Sequence, residues 1–192
     1  MLPKMPVELI GIKMTMQIDK SVKGKEASRF REEDFECDVL AKMAVFSLLH
    51  RLGAKNLIAE AGSERDLPYH RDIECDLGGK HLIISAEIKH NWTFGNGYFP
   101  FDTVNVLNRK SKEANSRNRF TTFALCSEDL KGIAIIKYEA YDPLNPVLEN
   151  TRRGTDYVRK VPISDAKFYR LVDYRKNVWE ILGEGREWQT LS

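Results

Sequence analysis

The sequence predicts one α/β domain built around a mixed β-sheet. One long stretch has the apolar period of an amphipathic helix, and several short apolar stretches have the length and composition of strands. A chain of 192 residues can bury one hydrophobic core, and 42% hydrophobic with 30% charged residues is typical of a globular protein. We therefore predict a single domain over residues 1–192, with a core at about 30–141 and a C-terminal extension at about 142–192.

The first half of the chain gives three predicted elements. The stretch ELIGIKMTMQID (residues 8–19) alternates apolar and polar side chains, which predicts a half-buried strand. From Glu32 to Leu52 apolar residues recur every three or four positions, which predicts an amphipathic helix. Gly53 suits the end of that helix. A short apolar strand, NLIAEA, follows at residues 56–61.

The second half continues the alternation of strands and helices after a hairpin at residues 71–90. The remaining predicted elements are a helix at 102–117, strands at 119–126 and 132–141, a loop at 142–156 that contains Pro143 and Pro146, and a final helix at 163–182 that Ser164 caps. The predicted order is therefore β-α-β-β-β-α-β-β-α.

The hairpin RDIECDLGGKHLIISAEIKH has Gly78-Gly79 as its predicted two-residue turn. In that register the side chains alternate, so one face is apolar and the other is polar. The polar face gathers His70, Asp72, Glu74, Asp76, His81, Ser85, Glu87 and Lys89. A solvated outer face is the common explanation of such a stripe. However, Asp72 and Glu87 take diagonal positions and would repel each other unless a cation or proton lies between them.

Clustered carboxylates beside a lysine are what magnesium-dependent phosphodiester hydrolysis requires. Asp72 and Glu87 would anchor the cation, and Lys89 would orient the attacking water or neutralise charge on the phosphate. The identity of the first acid stays open, because a slip of one pair would bring Glu74 to the position of Asp72. Two further candidates on the same face are Asp76 and His70.

The spacing of Asp72 and Glu87-Ile88-Lys89 resembles the D…(D/E)-x-K signature of the PD-(D/E)XK nuclease superfamily. The resemblance covers about residues 30–128, where the predicted elements follow the αβββαβ order of the restriction-endonuclease-like core, a mixed sheet flanked by helices. The opening helix and the A-G-S turn after the first strand are similar to those of archaeal Holliday-junction resolvases. Arg71 stands where the signature has proline.

The resemblance implies an endonuclease that hydrolyses DNA phosphodiester bonds with Mg²⁺, for which Mn²⁺ substitutes. It implies catalytic roles for Asp72, Glu87, Lys89 and Glu36, and metal binding by Asp72, Glu87, Glu36 and the Ile88 carbonyl. We expect a homodimer, because such enzymes usually cut both strands as a symmetric pair. Whether such an enzyme would select branched DNA structures or a specific base sequence stays open. Two alternatives also stay open: a non-catalytic nucleic-acid-binding module of the same fold, and an RNA-directed endonuclease.

Basic residues predict where nucleic acid binds, because the net charge of +2 neither demands nor excludes a polyanionic partner. Phosphate contacts need lysine and arginine in clusters. The candidate nucleic-acid-binding residues are Arg109, Lys110, Lys112, Arg117, Arg119, Arg152 and Arg153. The aromatic loop HNWTFGNGYFPF (residues 90–101) has two interpretations: its rings cover the core, or they stack on bases.

The sequence gives no sign of a membrane or extracellular location. No apolar run approaches the roughly 20 residues of a membrane helix, and the N-terminus lacks the apolar segment of a signal peptide. The three cysteines, Cys37, Cys75 and Cys126, are far apart and predict neither a disulfide framework nor a zinc site. We therefore expect a cytoplasmic protein without membrane contact.

Overall fold

The computed structural model describes residues 32–59, 73–96, 99–108, 122–151, 154–173, 176 and 178–184. The predicted N-terminal strand at residues 8–19 lies outside these ranges. Within them, no helix has the length and apolarity needed to cross a membrane.

The described elements are mostly strands. In chain order they are α1 (Glu32–Arg51), β1 (Lys55–Ala59), β2 (Ile73–Leu77), β3 (Lys80–Lys89), β4 (Thr103–Leu107), β5 (Thr122–Ser127), β6 (Gly132–Lys137), α2 (Tyr138–Tyr141), β7 (Val147–Thr151), β8 (Gly154–Pro162), β9 (Ala166–Asp173) and β10 (Val178–Glu184). Two short 3₁₀ helices, Phe94–Asn96 and Ile163–Asp165, join some of them.

The strands form two sheets. The main sheet has seven strands in the order β1-β2-β3-β5-β6-β9-β10, and the small sheet has three in the order β4-β8-β7. In the main sheet β3 and β5 run parallel, and the other neighbours are antiparallel. The prediction of an α/β fold around a mixed sheet is confirmed at this level, although helices are few in the described ranges.

The β2–β3 hairpin has the predicted register. Leu77 pairs with Lys80, and Glu74 pairs with Ile83. Gly78 and Gly79 have φ values of 59° and 76°, which is the left-handed conformation that a two-residue hairpin turn requires. Because glycine adopts this conformation without steric cost, the two glycines fix the register of the hairpin.

Each face of the main sheet is covered by a different apolar layer. The helix-side layer lies between α1 and one face and includes Ala41, Val45, Leu48, Ile73, Ile84, Ala124, Cys126 and Ile133. The inter-sheet layer lies between the other face and the small sheet and includes Trp92, Phe99, Val104, Val106, Phe123, Leu125, Ile136, Val161 and Phe168. All six residues of β5 are buried as a result. In the described ranges a sheet, rather than a second helix, covers that other face.

The helix predicted at residues 102–117 is wrong in its first part, where the chain forms β4. The sequence TVNVL places Val104 and Val106 on one side with a period of two, and both are buried in the inter-sheet layer. β-Branched residues at that period favour a strand once another strand is available for pairing. Residues 109–121 lie outside the described ranges.

Two predictions for the stretch after β5 are wrong in part. The strand predicted at 132–141 ends at Lys137, where α2 begins. The loop predicted at 142–156 is wrong from Val147 onward, because residues 147–151 form β7, which pairs with the first part of β8.

The final helix predicted at 163–182 is also wrong, because this segment forms a 3₁₀ turn followed by β9 and β10. β9 pairs with β6, whose partner on the other side is β5, so the C-terminal segment extends the main sheet. Ala166 and Phe168 alternate into the inter-sheet layer. The partner strand overrides the helical period that the sequence shows locally.

The carboxylate of Asp129 ties the aromatic loop to the turn between β5 and β6. It accepts hydrogen bonds from the backbone N–H of Phe94 at 3.1 Å, the N–H of Gly95 at 3.0 Å and the hydroxyl of Ser127 at 2.6 Å. The Ser127 hydroxyl in turn accepts the N–H of Gly132 at 2.9 Å. A side chain at Gly132 would lie 2.2 Å from a ring carbon of Phe94, so the loop fits tightly over this turn.

We predict that Asp129→Ala lowers the free energy of unfolding by about 2–3 kcal/mol, because several charge-assisted hydrogen bonds lose their acceptor. Urea denaturation followed by circular dichroism measures the change. Glu128→Ala, which removes the exposed neighbouring acid, is the matched control and should change stability by less than about 0.5 kcal/mol. Equal effects of the two substitutions would contradict the role of Asp129.

Candidate functional site

The candidate site lies at the carboxyl end of β3, on the face of the main sheet opposite α1. Ile84 and Ala86 belong to the helix-side layer. Because side chains alternate along a strand, Ser85, Glu87 and Lys89 point to the other face. The structure therefore places Glu87 and Lys89 together on one face, as the sequence predicted.

The neighbouring strand β5 determines the surroundings of these side chains. In the parallel register Glu87 lies beside Leu125, and Lys89 lies beside Ser127. Leu125 belongs to the inter-sheet layer, and Ser127 is fully buried at the end of β5. The polar residues of β3 thus border an apolar layer, which gives them a less aqueous environment than an open strand surface would.

Lys89 is partly buried, and its aliphatic stem can follow the apolar surface. Its Nζ atom lies 4.9 Å from the centroid of the Phe101 ring, a cation–π distance. Burial lowers the pKa of Lys89 below its ordinary value, while the negative charge of Glu87 opposes this shift. The amine is therefore held near a carboxylate and is less strongly hydrated than a surface lysine.

Ser85 is 1% exposed, and its hydroxyl has no hydrogen-bond partner among the described residues. It lies beside Phe123 of β5 and two residues before Glu87 on the same face. An unsatisfied buried hydroxyl costs about 1–3 kcal/mol, so packing alone does not explain a serine here.

The other acids of the described hairpin lie away from Glu87. Glu74 is paired with Ile83, four residues along β3 from Glu87, which is about 13 Å. The slip that would bring Glu74 to the position of Asp72 does not occur in the observed register.

Asp76 lies near the turn and takes part in polar contacts of its own. Its carboxylate accepts a hydrogen bond from Nδ2 of Asn56 at 2.6 Å and lies 3.1 Å from Nδ1 of His81. These hydrogen bonds, from Asn56 first and then His81, lower the pKa of Asp76. Asp76 and His81 therefore form a surface cluster at the turn of the hairpin, at the end remote from Lys89.

Most of the remaining predicted site residues lie outside the described ranges. Those outside the described residues are His70, Asp72, Arg109, Lys110, Lys112, Arg117, Arg119, Arg152 and Arg153. Glu36 lies in α1, but its side chain is outside the described part. The side chain of Ile88 packs against the helix-side layer, which leaves its proposed role to the backbone carbonyl. Among the described residues, no three His, Cys, Asp or Glu side chains are grouped so that they could hold a metal ion.

The aromatic loop covers the core, one of the two interpretations of its sequence. Trp92, Phe94 and Phe99 are buried in the inter-sheet layer. The rings of Trp92 and Phe99 pack edge to face, with centroids 4.9 Å apart. Phe101, at the end of the loop, is partly buried and lies under the Lys89 amine.

Sequence patterns placed Ser85 on the polar face without a role and gave Phe101 only the two interpretations of the whole aromatic loop. A hydroxyl inside the apolar stretch LIISAEI was a signal for Ser85, but its burial depends on the neighbouring strand β5. Phe101 is twelve residues after Lys89, and their contact depends on the path of the intervening loop. No local spacing predicts either relationship.

Comparisons of the chain with models of protein families, with curated proteins and with solved structures find no match. The resemblance to the PD-(D/E)XK nucleases therefore stays a prediction, and function has to be inferred from the chemistry of the site.

We predict that Lys89→Met raises the free energy of unfolding at pH 7, by less than about 1 kcal/mol because solvent screens the half-exposed amine. The pKa of Lys89 is lower in the folded protein than in the unfolded chain, so charging the amine disfavours the folded state below the folded pKa. This cost disappears as the pH rises through the folded pKa toward the unfolded value. Urea denaturation at pH 7 and near pH 10 measures the difference between variant and wild type, which should shrink at the higher pH.

Lys80→Met is the control for this substitution, because Lys80 is exposed at the start of β3. It should leave stability within about 0.5 kcal/mol of the wild type at both pH values. A lower stability of Lys89→Met at pH 7 would mean that the charged amine contributes to folding, contrary to the interpretation given above.

Proposed function

We propose that the protein is a metal-dependent endonuclease that hydrolyses DNA phosphodiester bonds at the carboxyl end of β3. The observation that carries the proposal is the placement of Glu87 and Lys89 on one face, with the unsatisfied buried hydroxyl of Ser85 beside them. A partly buried carboxylate and amine at one spot are common in catalytic sites. The site thus contains a candidate metal ligand, a cationic group and a hydrogen-bond donor.

The order of elements supports this proposal. α1, β1, β2 and β3 are followed by β4 and then by β5, which lies parallel to β3. The PD-(D/E)XK core has the order αβββαβ, so β4 is an addition to that order. The second helix of that core would have to lie within residues 109–121. Ligands of α/β sheets bind outside the carboxyl ends of parallel strands. Lys89 and Ser127, the last residues of β3 and β5, lie at that edge.

Oxygen donors suit Mg²⁺, and the residues that would hold it are Glu87 and Asp72, with Glu36 and the Ile88 carbonyl as further donors. The described residues supply Glu87 and the Ile88 carbonyl from this set. The site is complete only if the ladder of β2 and β3 continues by one pair, which would place Asp72 opposite Ser85. When bound, Mg²⁺ supplies Lewis-acid stabilisation of charge on the phosphate.

The chain's own residues have distinct roles in this proposal. The ammonium of Lys89 stabilises the negative charge that develops on the phosphate, and its contact with the Phe101 ring limits its motion. If the ladder continues, the buried hydroxyl of Ser85 can donate a hydrogen bond to the Asp72 carboxylate and so orient it. Because these groups are fixed by strands before substrate binds, little reorganisation is needed during the reaction.

The second candidate is a DNA-binding module of the same fold without catalytic activity. It is supported by the partly buried ammonium of Lys89, held beside Phe101, which can bind a phosphate without a metal ion. If Asp72 did not lie beside Glu87, the protein could bind DNA without cutting it.

Cleavage assays test the proposal. Purified protein is incubated with Mg²⁺ or Mn²⁺ and with supercoiled, linear, branched and single-stranded DNA, and with RNA. We expect DNA cleavage, and we expect Lys89→Ala, Glu87→Gln and Asp72→Asn each to lower the rate at least about 100-fold. Glu74→Gln is the matched control, since Glu74 lies on the same face about 13 Å from Glu87.

Each outcome has a separate meaning. A folded wild-type protein that cuts none of the substrates contradicts the endonuclease, and so does equal cutting by the Lys89 and Glu87 variants. Loss of activity in Glu74→Gln but not in Asp72→Asn would assign the first acid to Glu74. Faster cutting of RNA than of DNA would replace the proposed substrate.

A further inference from the structure

A shallow cleft of about 170 Å³ opens beside the turn between β5 and β6. It is lined by Phe94, Gly95, Lys131, Arg170 and Leu171, and we call it the basic cleft. A water molecule needs about 10–15 Å³ of such space, so the cleft can admit a group as large as a phosphate. Within the part of the chain that the structure describes, the only charged residues that line it are Lys131 and Arg170, and both are positive.

The amine of Lys131 is available to a ligand. Lys131 is exposed and forms no ion pair with any residue in the described ranges. Its backbone is fixed by the sheet, because its carbonyl accepts the N–H of Leu171 at 2.8 Å and its N–H donates to Asp129 at 3.4 Å. The chain therefore holds the base of this side chain in place and leaves its charge to the cleft.

The guanidinium of Arg170 is oriented by Glu180 on the neighbouring strand. The two residues are paired across β9 and β10, and Nε of Arg170 donates to Oε2 of Glu180 at 3.1 Å. Nη2 donates to the same carboxylate oxygen. The other N–H groups of the guanidinium, including both on Nη1, have no hydrogen bond to a described residue. Arg170 thus keeps donors for a second anion, in an orientation that is set before the anion binds.

The acids close to the basic cleft are already engaged and do not line it. The carboxylate of Asp129 accepts the N–H groups of Phe94 and Gly95 and so faces the aromatic loop. Glu180 is bound to Arg170. The free donors in the cleft therefore belong to cationic groups, and these form their strongest hydrogen bonds with anionic oxygens such as those of phosphate.

The basic cleft lies at the same edge and on the same side of the main sheet as the candidate site. Neighbouring positions along that edge are occupied, on β3, β5, β6 and β9, by Lys89, Ser127, Gly132 and Arg170. Arg170 alternates with Phe168 of the inter-sheet layer, so it points to the same side as Lys89. The two cationic residues are three strand spacings apart, about 14 Å, and the aromatic loop covers Gly132 between them.

We propose that the basic cleft binds a phosphate of the DNA backbone, apart from the phosphate that reacts beside Lys89. Each strand of a duplex has a phosphate about every 3.4 Å along the axis, so a separation of about 14 Å corresponds to about four nucleotides. Such a contact would fix the position of the DNA on the protein without reading its sequence. The proposal rests on the proposed function, which makes DNA the source of the phosphate.

Binding measurements in EDTA test the basic cleft without cleavage. Fluorescence anisotropy with a short labelled DNA duplex, between about 0.05 and 0.2 M salt, gives Kd and its salt dependence. Loss of one phosphate contact should lower the slope of log Kd against log salt by about 0.9 and raise Kd about 5–10-fold at about 0.1 M salt. We expect both effects for Lys131→Gln and for Arg170→Gln. Arg170→Lys keeps the charge and should keep the slope of the wild type.

Lys80→Gln is the matched control, because it removes the same charge from an exposed lysine at the opposite end of β3 from Lys89. It should change neither Kd nor the slope. Circular dichroism should show the thermal midpoint of the wild type for Lys131→Gln, since the side chain of Lys131 is exposed. Titration calorimetry with inorganic phosphate distinguishes a free anion from the DNA backbone as the ligand of the cleft.

The outcomes separate the basic cleft from the catalytic proposal. An unchanged Kd and slope for Lys131→Gln and Arg170→Gln overturn the cleft as a DNA site, even if the wild type cuts DNA. Binding of inorganic phosphate that depends on Lys131 would in that case identify a free anion as the ligand. An equal loss of affinity in Lys80→Gln also overturns the proposal, because net charge alone would explain it. DNA binding that depends on the cleft, by a wild type that cuts nothing, supports the cleft and contradicts the endonuclease.

Discussion

The parallel pairing of β3 with β5 is the interaction on which the rest of the structure depends. It places the apolar side of β3 against α1 and aligns the other side with the residues of β5 that face the small sheet. It also brings the last residues of both strands, Lys89 and Ser127, to one edge. Without this pairing the polar residues of β3 would form the solvated surface of an isolated hairpin. With it, Ser85 is buried and Lys89 is partly buried.

The hairpin shows how much of the fold and of the site the sequence could predict. Gly78-Gly79 and the strict alternation of apolar residues determine the register locally, so the pairing and the shared face of Glu87 and Lys89 were predicted correctly. The burial of Ser85 and the contact of Lys89 with Phe101 could not be predicted. The burial of Ser85 arises from β5, which is distant in sequence. The contact of Lys89 arises from the aromatic loop, which follows an irregular path.

The wrong helix predictions have the same physical origin. In the segments that form β4 and β9, apolar residues recur at intervals that fit a helix and a strand equally well. The neighbouring strands determine that these segments form strands and not helices: β8 pairs with β4, and β6 pairs with β9. Such pairing satisfies backbone groups and buries Val104 and Phe168 between two sheets, which an isolated helix could not do. Local periodicity therefore has little weight where a sheet edge is available.

Residues 90–121 separate β3 from β5, so the pairing of these strands closes a long loop and has to overcome its entropy. The β2–β3 hairpin needs no such closure and can form within microseconds, long before its neighbour arrives. During synthesis on the ribosome, residues 73–89 therefore emerge and pair before β5 is available, so the polar residues of β3 do not yet have their final neighbours. The environment of Lys89 is established only after Ser127 has left the exit tunnel, so a chain interrupted before that residue would have the hairpin without the site.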